Sequence, residues 1–205
     1  MVEVASPFIM KRQNPLKGNL MAMNSVFHQF FDHCVGKWST ERTYHYLTQN
    51  EVERSHTDFQ VSPITDELKA NVLSDNAYSE VQDLGALPGF RLAFSTVSEK
   101  GEKVSQTLNL LFVTRTETGP ILEGDYLRDR AYEEARPIIS HFRFDSTTRE
   151  LLMTTNYTRV VSVDSITLVN PKTRIRRILN YLRPPEGQPL EQLGLVGFGV
   201  EQKVP

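Results

Sequence analysis

The side chains in this chain with the most chemical potential are a few cations and one carboxylate set among apolar neighbours. Arg174 and Arg176 fall two apart in a run from Arg174 to Arg183, so a strand there places both guanidiniums on one face with Ile178 and Asn180. Two guanidiniums on one side of a strand form a bidentate clamp for a carboxylate or phosphate, and the same spacing equally describes a solvated outer face. Arg42 shares a face with Trp38, Tyr44 and Tyr46; a cation among aromatics either snorkels at a rim or binds an anion inside a cavity. Asp164 interrupts the apolar run from Val160 to Ile166. It either points to an interior, where a carboxylate needs a partner or loses its charge, or sits at a bulge in Val163-Asp164-Ser165. His45 lies on the opposite face from Trp38 and Arg42, and reads as a partly exposed strand histidine ahead of a catalytic base. Cys34 is the one cysteine. Its place in an apolar stripe marks a structural thiol, and one thiol supports neither a disulfide framework nor a thiolate zinc site. The signatures H-E-x-x-H, G-x-S-x-G, the P-loop and G-x-G-x-x-G are absent.

These side chains need a frame, and the stretch from Phe27 to Leu47 begins it. Phe27, Phe30, Phe31 and Cys34 recur at helical spacing, with Asn24 or Ser25 available as N-cap and Gly36 as a stop. From Trp38 the period becomes two: Trp38, Thr40, Arg42, Tyr44 and Tyr46 face one way, and Ser39, Glu41, Thr43, His45 and Leu47 the other. Further strands are predicted over 51–61, 90–98, 103–114, 121–129, 137–145, 151–157, 160–169, 174–183 and 195–203, with turn markers such as Lys100-Gly101, Gly119-Pro120 and Asn170-Pro171 between them. One helix is expected among them over 63–73, capped by Ser62 with Pro63 at the first position, sitting as a lid or a flank. Strands so regularly spaced form an all-β meander rather than βαβ units. Residues 1–22 show neither period and read as an irregular extension to one domain over 23–205, with Met21 or Met23 as a candidate start.

The 205 residues, 39% of them hydrophobic, suffice for one core or one ligand cavity. A formal charge of −2 argues against general affinity for nucleic acid or anionic membrane. No run approaches the roughly 18 apolar residues of a membrane span, and residues 1–23 lack the continuous apolar segment of a secretory signal. The chain reads as soluble and intracellular.

Several blocks, in order, resemble the S-type phycobiliprotein lyases, the CpcS/CpeS family of bilin-binding lipocalin-like proteins. Phe30-Phe31, Gly36-Lys37-Trp38 and Glu41-Arg42-Thr43-Tyr44-His45-Tyr46-Leu47 are similar to the family's F-F, G-K-W and Q-R-T-x-H-H-L; Gly89-Phe90-Arg91 is similar to its G-F-R. Leu127-Arg128-Asp129-Arg130-Ala131-Tyr132 resembles L-R-D-x-G-Y, Leu152-Met153-Thr154-Thr155-Asn156-Tyr157 resembles L-T-T-E-Y, and Asn170 to Arg176 resembles S-P-N-L-R-x-R. Departures are Phe94 and Thr167 where the family has Trp, Tyr46 for the second His, Ala131 for Gly, and Asp164 where it has Glu.

The resemblance implies a ten-stranded antiparallel barrel of the lipocalin and fatty-acid-binding-protein kind, closed by the N-terminal helix, with a short helix after the second strand. It implies a lyase that takes phycocyanobilin or phycoerythrobilin and attaches it through a thioether to a cysteine of an apo-phycobiliprotein subunit, the bilin being substrate and no cofactor being needed. The implied bilin contacts are Arg42, His45, Phe94, Arg174 and Arg176, with Asp164 as the catalytic acid. Also implied are a homodimer or a heterodimer with a paralogous lyase subunit, and a setting in cyanobacterial cytoplasm or plastid stroma. The alternatives are a non-catalytic bilin chaperone or partner subunit, and a generic carrier of apolar anions.

Overall fold

A computed structural model of the chain describes residues 26–79, 81, 83–129, 134 and 136–205; the expected extension over 1–22 lies outside them. A first helix, α1, spans 26–34. It is followed by strands β1 (Gly36–Tyr46) and β2 (Glu51–Pro63), helix α2 (Asp66–Asp75), then β3 (Gly89–Ser98), β4 (Lys103–Thr118), β5 (Ile121–Arg128), β6 (Ile138–Asp145), β7 (Glu150–Asn156), β8 (Val160–Asn170), β9 (Thr173–Leu182) and β10 (Leu193–Lys203). Each strand pairs antiparallel with its neighbours in sequence, and β10 pairs with β1, so the ten strands close into a barrel. Closure matters because an open sheet leaves unpaired edges that invite aggregation.

The expected helical stripe is where the barrel is plugged. Phe27, Phe30, Phe31 and Cys34 are all buried, and their rings meet those of the strands: Phe27 stacks on Phe142 at 5.4 Å and Phe31 on Phe90 at 4.8 Å. Each such buried aromatic contributes about 1.5–3 kcal/mol of transfer free energy. Two side chains satisfy carbonyls at the α1 C-terminus that have no partner within the helix. Trp38 Nε1 donates to Cys34 O at 2.8 Å, and the Lys203 ammonium donates to His33 O at 2.9 Å, which also places a cation at the negative end of the helix. Gly36 turns the chain between α1 and β1 at φ 130°, a backbone that side-chain-bearing residues rarely adopt.

The expected helix over 63–73 is displaced. The ladder between β2 and β3 runs through Pro63 opposite Phe90, and the Ile64 N–H still donates to Gly89 O, so Ser62 and Pro63 belong to the sheet. Proline tolerates a strand end as readily as a first helical turn. Thr65 is the N-cap instead, accepting from Leu68 N at 3.4 Å, and Asp66 and Glu67 place acid in the first turn. The helix is a flank and no lid: Val72 packs on Leu111, Val113 and Leu127 in a second core outside the barrel wall. β4 also runs past the expected end at Thr114, through a register shift between Thr114 and Thr116. Among the described residues no helix is long and apolar enough to cross a membrane.

Candidate functional site

Above the aromatic plug the barrel keeps a cavity of about 370 Å³, within the range of roughly 300–1,000 Å³ in which small-molecule sites fall. Its floor is Phe30, Phe31 and Cys34 of α1. Alternation along each strand decides what the walls present. On β1 the face that begins with buried Trp38 continues inward with Arg42, Tyr44 and Tyr46. On β8 Asp164 is in register with both Met153 and Ile178, so the bulge alternative is excluded and its carboxylate lines the cavity. Arg174 and Arg176 line it from β9, and Phe94 from β3. A wider, open depression next to Lys37, Asp58, Gln60, Ala93 and Ser95 has no buried charge, since Lys37 and Asp58 are both exposed.

Five of the six expected site residues therefore share one hollow, and the sixth does not. His45 lies on the outer wall, where its ring stacks on Phe198 at 6.1 Å. The strand period that sends Tyr44 and Tyr46 inward sends His45 outward, so the structure does not bring it to the cavity with the other five.

The arginines are not equivalent. Arg174 is only 4% exposed; Nε and Nη2 both lie 2.7 Å from Glu201 Oε2, and its guanidinium sits over the rings of Trp38 and Phe59 at 4.5 and 5.2 Å. Glu201 is fully buried and also receives Arg42 Nη2 at 3.2 Å. Burial alone would raise the Glu201 carboxyl, but the guanidiniums of Arg174, Arg176 and Arg42 outweigh it and hold the group below the usual carboxylate range. Arg176 pairs instead with Asp164, Nη2 to Oδ1 at 3.4 Å. Burial pulls the Arg176 guanidinium down, yet the Asp164 and Glu201 carboxylates reverse this and keep it charged. Burial pushes the Cys34 thiol up against the pull of Arg174 beside it, which is the behaviour of an inert structural cysteine.

Several buried polar atoms on this lining have no hydrogen-bond partner among the described residues: Arg42 Nε, Ser55 Oγ, Asp164 Oδ1, Arg176 Nε and Asn180 Oδ1. Buried polar groups are nearly always satisfied. Unpaired buried donors and acceptors gathered on residues that line an apolar hollow mark this wall as the candidate place for a polar ligand. The set supplies donors for an anion and an acceptor for a ligand N–H. Among the described residues no group of three or more His, Cys, Asp or Glu is placed to hold a metal.

Sequence reasoning missed two members. Glu201 was hidden because β10 inverts the usual pattern: Phe198 and Val200 point out and are exposed, while Gly197, Gly199 and Glu201 point in. Glu201 reaches the cavity through Arg42 and Arg174, whereas Arg128 lines it directly, donating to Tyr157 Oη at 2.7 Å and lying over the Tyr126 ring at 5.4 Å. The signal was there in the alternation of Tyr126 and Arg128.

Comparison with known proteins bears on the family and the fold. The family model described as CpeS-like protein matches residues 26–204. The chain is 64% identical over 184 residues, 89% of its length and 100% of the relative's, to chromophore lyase CpcS/CpeS 1 of Synechococcus sp. (strain JA-3-3Ab). It is 25% identical over 156 residues, 75% of its length and 77% of the relative's, to chromophore lyase CpcS/CpeS 2 of Trichodesmium erythraeum (strain IMS101). Among solved structures, the S-type phycobiliprotein lyase CPES from Guillardia theta matches with a TM-score of 0.69 at 15% identity, covering 87% of this chain and 93% of that one. This last likeness concerns the fold.

Proposed function

The chain belongs to the CpeS-like family, and from that premise we propose that it is a chromophore lyase, taking up a free linear tetrapyrrole and delivering it to a cysteine of an apo-phycobiliprotein subunit. One observation carries the reading: 64% identity over the whole length of a relative named chromophore lyase. The cavity supports it, because a flat, conjugated ligand with two propionates needs an apolar slot, cations for its carboxylates and an acid near its pyrrole nitrogens.

The chemistry is an addition. The acceptor's thiol adds across the exocyclic ethylidene double bond of ring A; the S–C bond forms, the π pair moves into the conjugated system, and a proton quenches it, with no net change in oxidation. The nucleophile comes from the acceptor, so Cys34 has no part to play. Asp164, on the wall beside Arg176, is assigned to the pyrrole nitrogens, where a carboxylate stabilises the protonated and more electrophilic pigment. Arg42 and Arg176 are assigned to the propionates, and Phe94 to the pigment's face. The plug of α1 shields the reactive carbon on one side. Phycocyanobilin or phycoerythrobilin as ligand, a homodimer or a heterodimer with a paralogue, and cyanobacterial cytoplasm or plastid stroma as the setting belong to the same proposal.

Mixing the purified protein with either bilin should give a shifted, intensified visible band. Addition of apo-subunit should then give a covalent, zinc-fluorescent band on a denaturing gel. Absence of any adduct across bilin and acceptor pairs, with and without a paralogous subunit, would reject the reading.

A further inference from the structure

The inward face of β10 carries Gly197, Gly199 and Glu201 in alternation. Neither glycine is among those with positive φ, so neither is required by backbone conformation. What they provide is room. A Cβ on Gly197 would lie 2.7 and 2.8 Å from Cδ1 and Cε1 of Tyr44, and one on Gly199 would lie 2.8 Å from Thr40 Oγ1, 2.9 Å from Glu41 O and 3.1 Å from Arg42 Cγ. The Tyr44 ring and the Arg42 stem are thus laid across bare β10 backbone. On the far side, β9 presents Ile178 in register with Gly197 and Arg176 in register with Gly199. At the end of the stripe Glu201 holds Arg42 by Nη2 and takes both Nε and Nη2 of Arg174 on Oε2.

We infer that Gly197, Gly199 and Glu201 are positioning residues for recognition of a ligand carboxylate. The glycines let Arg42 and Tyr44 lie across β10, and Glu201 tethers one end of the Arg42 guanidinium while withholding Arg174. Arg42 and Arg176, each with a buried Nε lacking a hydrogen-bond partner among the described residues, then flank the strip of wall above Gly199 from two different strands. Arg174, in spite of its spacing from Arg176, is structural. The identity of the carboxylate as a tetrapyrrole propionate rests on the proposed function; the carboxyl of a fatty acid shares the chemistry.

The test is a comparison of phycocyanobilin with its dimethyl ester by absorption titration against the full-length protein. Charged hydrogen bonds are worth about 1.5–3 kcal/mol each, so the wild type should prefer the diacid by about 10-fold or more. Gly199→Ala and Glu201→Gln should bring that ratio close to one while the ester's affinity changes little. Gly197→Ala should shift the bound pigment's absorption band and weaken both forms, and the further substitution Tyr44→Ala should restore binding, because it removes the ring that the new methyl displaces. Folded variants of Gly199 and Glu201 with an unchanged diacid-to-ester ratio would overturn the inference. If either fails to give a cooperative melt, Arg42→Gln reads the same contact from β1 and should abolish the preference; an intact preference there overturns the inference as well. Should the wild type bind neither pigment form, the proposed function falls, and the same variants tested on a fluorescent fatty acid and its methyl ester decide the inference separately.

Discussion

Trp38 and Arg42 sit on the same face of β1 and meet opposite surroundings. At Trp38 the barrel is solid: the indole is fully buried, its N–H is bonded to α1, and the Arg174 guanidinium lies over its face. At Arg42 it is hollow, and the neighbouring polar atoms of Ser55, Asp164, Arg176 and Asn180 have unused hydrogen-bonding capacity among the described residues. Glu201 is the border, since it takes two nitrogens of Arg174 below and one of Arg42 above. The contrast teaches that one continuous sheet is divided into a solid half whose polar groups are paired and a hollow half in which several have no hydrogen-bond partner among the described residues, the half to which the proposed function assigns the ligand.

Substitutions can break or sharpen this division. The largest loss of stability is expected from the plug: Phe142→Ala removes a fully buried ring stacked on Phe27 and should cost about 3–5 kcal/mol in chemical denaturation, while bilin affinity of the folded fraction stays the same. Glu201→Gln, at the border, should cost about 3 kcal/mol at neutral pH because it leaves Arg174 buried without its counter-charge. The sign of its pH dependence follows from the lowered Glu201 carboxyl. The native charge contributes stability above the unfolded value of about 4.3, and that contribution is lost as pH falls through the lower folded value. Melting curves of wild type and variant should therefore converge below about pH 4, and a constant gap down to pH 2 would contradict this.

In the open half, Asp164→Asn should slow covalent transfer by about 100-fold at a smaller cost in stability than Glu201→Gln, since both side chains of its pair with Arg176 are 21% exposed whereas Glu201 is fully buried. Single-turnover gel assays beside denaturation curves would separate the two effects. The smallest effect on transfer should come from Cys34→Ser, with rates unchanged and a stability loss of about 1–2 kcal/mol from burying a hydroxyl in an apolar stripe. A folded Cys34→Ser protein without transfer would mean that the thiol takes part in the chemistry.

The frame was legible where a single period rules a segment. The α1 stripe, the inward face of β1 and the strands from β3 to β10 follow from periods of 3.6 and two, and barrel closure confirms the meander. The same rule put Arg174 and Arg176 on one face of β9 but left open whether that face looks inward, and for Asp164 it left a bulge as the alternative, which only the register with Met153 and Ile178 removes. What was not legible depends on partners far away in sequence or on residues that suit two roles. Pro63 fits a strand end as well as a helix start, and only the ladder to Phe90 decides between them. Arg174 and Arg176 look alike at their spacing; the difference lies in Glu201, 27 residues beyond Arg174 and 159 beyond Arg42. Glu201 was itself masked by exposed Phe198 and Val200, which an apolar-in rule assigns to the wrong side. His45 was matched by motif, and its strand parity sets it on the outer wall against Phe198, away from the cavity.

The most direct measurement is a solved structure of the protein with phycocyanobilin bound. The account predicts the tetrapyrrole in the hollow above Phe30 and Phe31, a propionate within hydrogen-bond distance of Nε of Arg42 or Arg176, and Asp164 at the pyrrole nitrogens. A pigment held on the outer wall, or one in the hollow with both propionates turned to solvent, would contradict it.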